Sequence, residues 1–112
     1  MNEHGLKRAV DRTLAALRKT GARLFYFKTV GGIYQHIGMP DYVGCANGRF
    51  FGLELKHPDG NTQLTPMQTR VRHYITYAGG AYIEARSVDE VSHSMAELLG
   101  SSGSGEVRAN VT

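Results

Sequence analysis

Glu54 and Lys56 stand two residues apart at the end of an otherwise apolar run, Arg49-Phe-Phe-Gly-Leu-Glu-Leu-Lys56, and 12 residues separate Asp41 from Glu54. Side chains of a strand alternate between faces, so Glu54 and Lys56 share one face while Leu53 and Leu55 take the other. Between Asp41 and Glu54 lies Asn47-Gly48, a strong two-residue hairpin signal. With that pair at the tip, Ala46 meets Arg49 and residues pair when their numbers sum to 95, which sets Asp41 opposite Glu54. The expected patch therefore carries two carboxylates and an ammonium, with Gly52 leaving space beside Glu54. Adjacent carboxylates repel, and one of them is pushed toward the neutral form unless something compensates. A Mg²⁺ or Mn²⁺ ion does so, typically on one or two carboxylates with water and phosphate oxygens completing the shell. Such a site suits hydrolysis of a phosphate ester: the metal acts on phosphate and water, Lys56 stabilises charge or orients the water, and the Leu55 carbonyl is a further ligand.

Each piece alone has an ordinary explanation. Glu-x-Lys is a common surface ion pair, and Pro40-Asp41 reads as a turn. The combination of Pro-Asp where a strand begins, Glu-x-Lys inside an apolar strand and a helix-opening Gln68 is a rarer coincidence.

The elements that must position these residues are legible in turn. Leu6, Val10, Leu14 and Leu17 form a stripe at helical period, and Gly21 suits the left-handed stop, predicting a helix over about 3–19. Leu24 to Val30 is aromatic and β-branched and reads as a strand, broken by Gly31-Gly32. Residues 33–39 read as a loop, Asp41 to Ala46 and Arg49 to Lys56 as a hairpin, and residues 57–61 as a turn. Thr65, Pro66 and Gln68 make a helix start with a capping box, and the helix runs to about Ala78 before Gly79-Gly80. Ala81 to Ala85 is a short strand, and Ser87 to Glu90 open a last helix with Val91, Met95, Leu98 and Leu99 on its apolar side. The expected fold is α/β, one domain over residues 1–100 with a mixed sheet flanked by helices. Residues 101–112 have the composition of a flexible tail.

Hydrophobic residues make up 41% of the chain, enough for one modest core, and a partner subunit would add to it. The single cysteine, Cys45, excludes an intramolecular disulfide, fits a reducing cytosol and reads as a small buried residue. No run is long and apolar enough to span a membrane, and the first residues do not resemble a signal peptide. The expected location is cytoplasmic, the bacterial host's cytoplasm if the chain is phage-encoded. Net charge is +3, but residues 1–39 hold seven lysines and arginines against Glu3 and Asp11, a balance of +5, leaving −2 for the rest. Arg8, Arg12, Lys28 and Arg49 are the candidate phosphate contacts.

Gly38-Met-Pro-Asp41, Phe51-Gly-Leu-Glu-Leu-Lys56 and Leu64-Thr-Pro-Met-Gln68 together resemble the VRR-NUC domain, a branch of the PD-(D/E)xK nuclease superfamily, and in particular its compact stand-alone phage-type members. The resemblance covers roughly residues 2–86. It implies a restriction-endonuclease-like αβββαβ core and Mg²⁺- or Mn²⁺-dependent cleavage of DNA. Asp41 and Glu54 would be metal ligands, Lys56 the catalytic lysine, and Gln68 and the helix-opening Glu3 active-site residues. It further implies a homodimer acting on branched DNA, with four-way junctions as the leading substrate. Nothing in the chain looks like a base-reading module, so shape is the expected basis of recognition. Two other readings stay open: a module that binds metal and nucleic acid without cutting, and a nickase or flap nuclease serving a replication complex. His36, His57 and His73 read as solvent-facing or packing residues. Tyr26, Phe27, Phe50, Phe51, Tyr74 and Tyr77 read as core or dimer contacts.

Overall fold

The stripe of Leu6, Val10 and Leu14 forms helix α1, Glu3–Lys19, in the computed structural model, which describes residues 2–30, 37–60 and 63–100. Asn2 caps it, its side-chain oxygen accepting the Gly5 N–H at 2.7 Å, and Gly21 at φ 90° ends it. Strands β1 (Leu24–Lys28), β2 (Tyr42–Ala46) and β3 (Arg49–Leu55) follow, then α2 (Pro66–Tyr77), β4 (Ala81–Ala85) and α3 (Val88–Gly100). This is the order read from the sequence. The Gly31-Gly32 break, most of the expected 33–39 loop with His36, and the tail 101–112 lie outside the described residues.

The sheet runs β1-β2-β3-β4, antiparallel over the first three strands and parallel between β3 and β4. Helix α2 makes the crossover that a parallel pair requires. Asn47 (φ 52°) and Gly48 (φ 86°) both hold left-handed backbone at the hairpin tip, as a type I′ turn demands. Ala46 lies opposite Arg49 and Tyr42 opposite Leu53, the expected register. Three strand ends fall one or two residues short of expectation: β1 stops at Lys28, β2 starts at Tyr42 and β3 stops at Leu55. At Asp41 the side chain, in place of the backbone, takes the Leu55 N–H.

Tyr42, Ala46, Phe51, Leu53, Leu55, Ile83 and Ala85 line one face of the sheet and join α1 and α3 in a single core with Val91, Met95 and Leu98. Each large apolar side chain buried there contributes about 1.5–3 kcal/mol. Leu53 and Leu55 therefore fix the rotation of β3, and a one-residue slip would drive Glu54 into the core. Helix α2 packs on the opposite face, over β3 and β4, with Ile75 against Gly52 and Gly80. α3 differs from a full capping box: Ser87 Oγ accepts the Glu90 N–H, but Glu90 Oε1 accepts from Arg86 instead of Ser87.

Because α2 covers only half of its face, Cys45 is exposed where burial was expected. Of the aromatic residues, Phe51 is core and Tyr26 packs against it, while Phe27, Phe50, Tyr74 and Tyr77 are exposed in the single chain. Among the described residues no helix is long and apolar enough to cross a membrane.

Candidate active site

β3 delivers Glu54, and Lys56 follows directly after the strand, on the face that α2 covers. Both are almost wholly buried, at 5% and 4% exposure, where charged side chains are rarely found unless paired. Lys56 Nζ lies 3.7 Å from Glu54 Oε2. Gln68, in the first turn of α2, spans the pair: its Oε1 accepts from Lys56 Nζ at 3.0 Å and its Nε2 donates to Glu54 Oε2 at 3.0 Å. The same Oε1 accepts the Thr65 N–H at 2.9 Å, completing the capping box with Thr65 Oγ1. Helix capping and the site contact are thus one arrangement, where the sequence suggested a choice between them. The carbonyl of Gln63 takes a second proton of Lys56 at 3.2 Å.

Asp41 arrives by a different route. Its Oδ2 accepts the Leu55 N–H at 2.7 Å, continuing the ladder past the end of β2 with a side chain. N–H and C=O of one residue point to the same neighbour in an antiparallel pair, so the Leu55 carbonyl faces the Asp41 edge. Pro40 sets the position of Asp41. A Cβ on Gly52 would meet Pro40 Cγ at 2.6 Å and Ile75 Cδ1 at 3.2 Å. The room at Gly52, expected to lie open beside Glu54, is instead filled by the proline ring. Gly38, at φ 87°, closes the same segment against the start of α2, where a Cβ would meet the Met67 carbonyl oxygen at 2.7 Å. Gly52→Ala should push Pro40 and Asp41 outward, costing about 1–3 kcal/mol by overpacking and weakening whatever Asp41 holds. An unchanged melting temperature in that variant would mean that Pro40 does not rely on this notch.

The electrostatics follow from this burial. Loss of solvent first, and the Asp41 charge second, push the Glu54 carboxyl from its ordinary 4.5 up to about 7, against the opposing pull of Lys56 and Lys7. Lys7, on α1, lies 3.7 Å from Asp41 Oδ1. Its helix is held to the sheet by Tyr42, whose hydroxyl donates to Asp11 Oδ1 at 2.6 Å. Glu54 Oε1 is buried, and among the described residues no donor reaches it in good hydrogen-bonding geometry, although the Asp41 backbone N–H acts weakly on the carboxyl. Buried polar atoms are seldom left so, and each such case asks for a missing ion or water. Oε1, Asp41 and the Leu55 carbonyl are hard oxygen donors of the kind Mg²⁺ takes, so the residues fit a cation. Among the described residues no three His, Cys, Asp or Glu side chains group to hold a metal alone. Substrate or water oxygens would have to complete the shell.

No protein-family model matches the chain, and the searches of curated proteins and of solved structures also find no match.

Of the residues read from sequence, Asp41, Glu54, Lys56 and Gln68 come together. Glu3 opens α1, exposed, one helical turn before Lys7. Arg8 and Arg12 are exposed on the same helix. Lys28 is engaged with Asp11 at 3.0 Å, and Arg49 donates to the carbonyls of Gly79 and Gly80 behind α2. His57 pairs with Asp59, and His73 stacks on Tyr77. Two residues escaped the sequence reading. Lys7 was only one of many basic residues on a helix, and its approach to Asp41 is a tertiary contact. Tyr82, beside Gly52 in the β3–β4 register, buries a hydroxyl that also lacks a partner. Tyr82→Phe should raise the melting temperature of the metal-free protein, by about 1 kcal/mol of stability, since it removes an unsatisfied buried group. A lower melting temperature would show that the hydroxyl has a water or ion as its partner.

Proposed function

We propose that this protein is a Mg²⁺- or Mn²⁺-dependent DNA endonuclease that hydrolyses phosphodiester bonds at Asp41, Glu54 and Lys56. The observation that carries the reading is a buried Glu54–Lys56 pair, clamped by Gln68, in which one carboxylate oxygen is left without a well-placed donor among the described residues. A pair kept only for stability gains little over apolar residues of the same size and would have its lone pairs satisfied. When bound by Glu54 Oε1, Asp41 and the Leu55 carbonyl, the cation would polarise the phosphate and make a coordinated water more acidic.

The chain's own groups supply the rest. Lys56 has three protons to donate; Gln63 and Gln68 take two. Among the described residues no other acceptor is within hydrogen-bond distance, the 3.7 Å to Glu54 being too long, and the third proton would go to a phosphate oxygen. Gln68 holds acid and amine in register and prevents them from collapsing on one another. Lys7 balances the charge of Asp41 and lies where a phosphate would approach.

The likeness of the three sequence motifs to the VRR-NUC domain supports the same reading. It alone supports the finer proposals of branched DNA as substrate and a two-fold dimer presenting two sites. The test is incubation with four-way junction, flap and linear duplex DNA, in Mg²⁺, Mn²⁺ or EDTA, with sedimentation of the protein alongside. Cleavage that needs the cation and favours the junction is expected, from a protein sedimenting at twice its chain mass. DNA that is retarded on a gel yet stays intact in every arm would leave a non-cleaving binding module.

A further inference from the structure

β1 is an edge strand, and its outward-facing positions should be polar. Its outward positions are instead Phe25 and Phe27, 65% and 54% exposed, flanked by Arg23 before the strand and Thr29 after it. Phe25 lies across from Cys45, which pairs in turn with the exposed Phe50. These residues share the sheet face of Glu54, and the track runs straight to the site. Thr29 ends it, its N–H bonded to the Asp41 carbonyl and its Oγ1 to that of Pro40.

We infer that this open face is a binding track for an unpaired DNA strand, as is released where the branch of a junction opens, its bases stacking on Phe25 and Phe27 and its backbone leading to Asp41 and Glu54. The inference rests on the nuclease reading for the identity of the polyanion. Two observations favour this occupant. The two rings are 6.4 Å apart and tilted by 57°, so each offers its own face to a separate base rather than forming one stack. Stacking of this kind tolerates any base but needs it unpaired, since a duplex hides base faces. Charge is also complementary. Arg23 precedes β1, α2 carries Arg70, Arg72 and His73 with no acidic residue, Glu84 of β4, level with Glu54, is paired with Arg86 at 3.9 Å, and Asp89, Glu90 and Glu97 lie on α3 behind the sheet. A nucleic acid brings the negative charge that these cations lack.

The chain contains no tryptophan, so Phe27→Trp supplies a stacking reporter without background. In EDTA, the indole emission of this full-length variant should be quenched by a short oligo(dT) strand and far less by a blunt duplex. The double variant Phe25→Thr, Phe27→Thr keeps residues that suit a strand and removes side chains that are more than half exposed, so its melting temperature should fall only slightly. Its affinity for oligo(dT), read by anisotropy, should fall at least about tenfold. Absence of quenching, or equal affinity in the double variant, would overturn the track. So would a double variant that sediments as a smaller species than the parent, which would make the face a protein–protein interface. Quenching and lost affinity in a protein that never cuts would leave the track standing and retire the nuclease.

Discussion

Lys56→Ala should lower DNA cutting by about 10²–10³-fold, the scale of removing one group that stabilises developing charge, while affinity for DNA in EDTA changes little. Lys56 is 4% exposed, so it contributes little to the long-range attraction of phosphates. Its amine is held by Gln63 and Gln68, and the loss falls on the chemical step rather than on binding. Lys56→Arg should not rescue it, because a planar guanidinium cannot take the ammonium's place between these two acceptors. Single-turnover rates with bound substrate separate the two effects. A variant cutting at the parental rate would remove Lys56 from the chemistry, and a parallel fall in binding would recast it as a phosphate anchor.

Glu54→Gln should abolish cutting and, in the metal-free protein, raise stability at pH 8. A carboxyl held at about 7 in the fold against 4.5 ordinarily binds its proton more tightly folded than unfolded. Its favourable contribution is complete below about 4.5 and is lost as pH rises through 7, amounting to roughly 3 kcal/mol by pH 8. The parent should therefore melt at a higher temperature at pH 5 than its other groups alone would dictate, and the Gln variant should lose that slope. Added Mg²⁺ should restore the parent at pH 8 by binding the folded state and leave the variant unmoved. Parent and variant with the same pH slope would mean that Glu54 is not strained by its burial. Mg²⁺ stabilising both alike would put the cation elsewhere. Stability surrendered at a working site is a familiar trade, and here it has a definite source in two carboxylates under one helix.

The features open to reading in the sequence were those that repeat or turn locally. The Leu6–Leu14 stripe, the Asn47-Gly48 tip and the Thr65-Gln68 cap each act within a few residues, and each forms as expected. The hairpin register followed from its tip as far as Tyr42 opposite Leu53; beyond it Asp41 leaves the strand and accepts the Leu55 N–H with its side chain. What could not be read was which helix covers which half of the sheet. That arrangement buries Glu54 and Lys56 and leaves Cys45, Phe25 and Phe27 bare. Gly52 shows the difference well: its missing side chain was visible, but not that Pro40 would occupy the gap.

The residue types and their spacing by themselves determined the element order, the strand faces and the pairing of an acid with an acid–amine couple, because periodicity and turn chemistry are properties of short stretches of chain. Only the tertiary structure decided that Gln68 bridges the pair, that Lys7 approaches Asp41 and that Glu54 Oε1 is sealed from water with no well-placed donor among the described residues. Those contacts join segments far apart in sequence, and their strength comes from the exclusion of solvent, which no segment achieves alone.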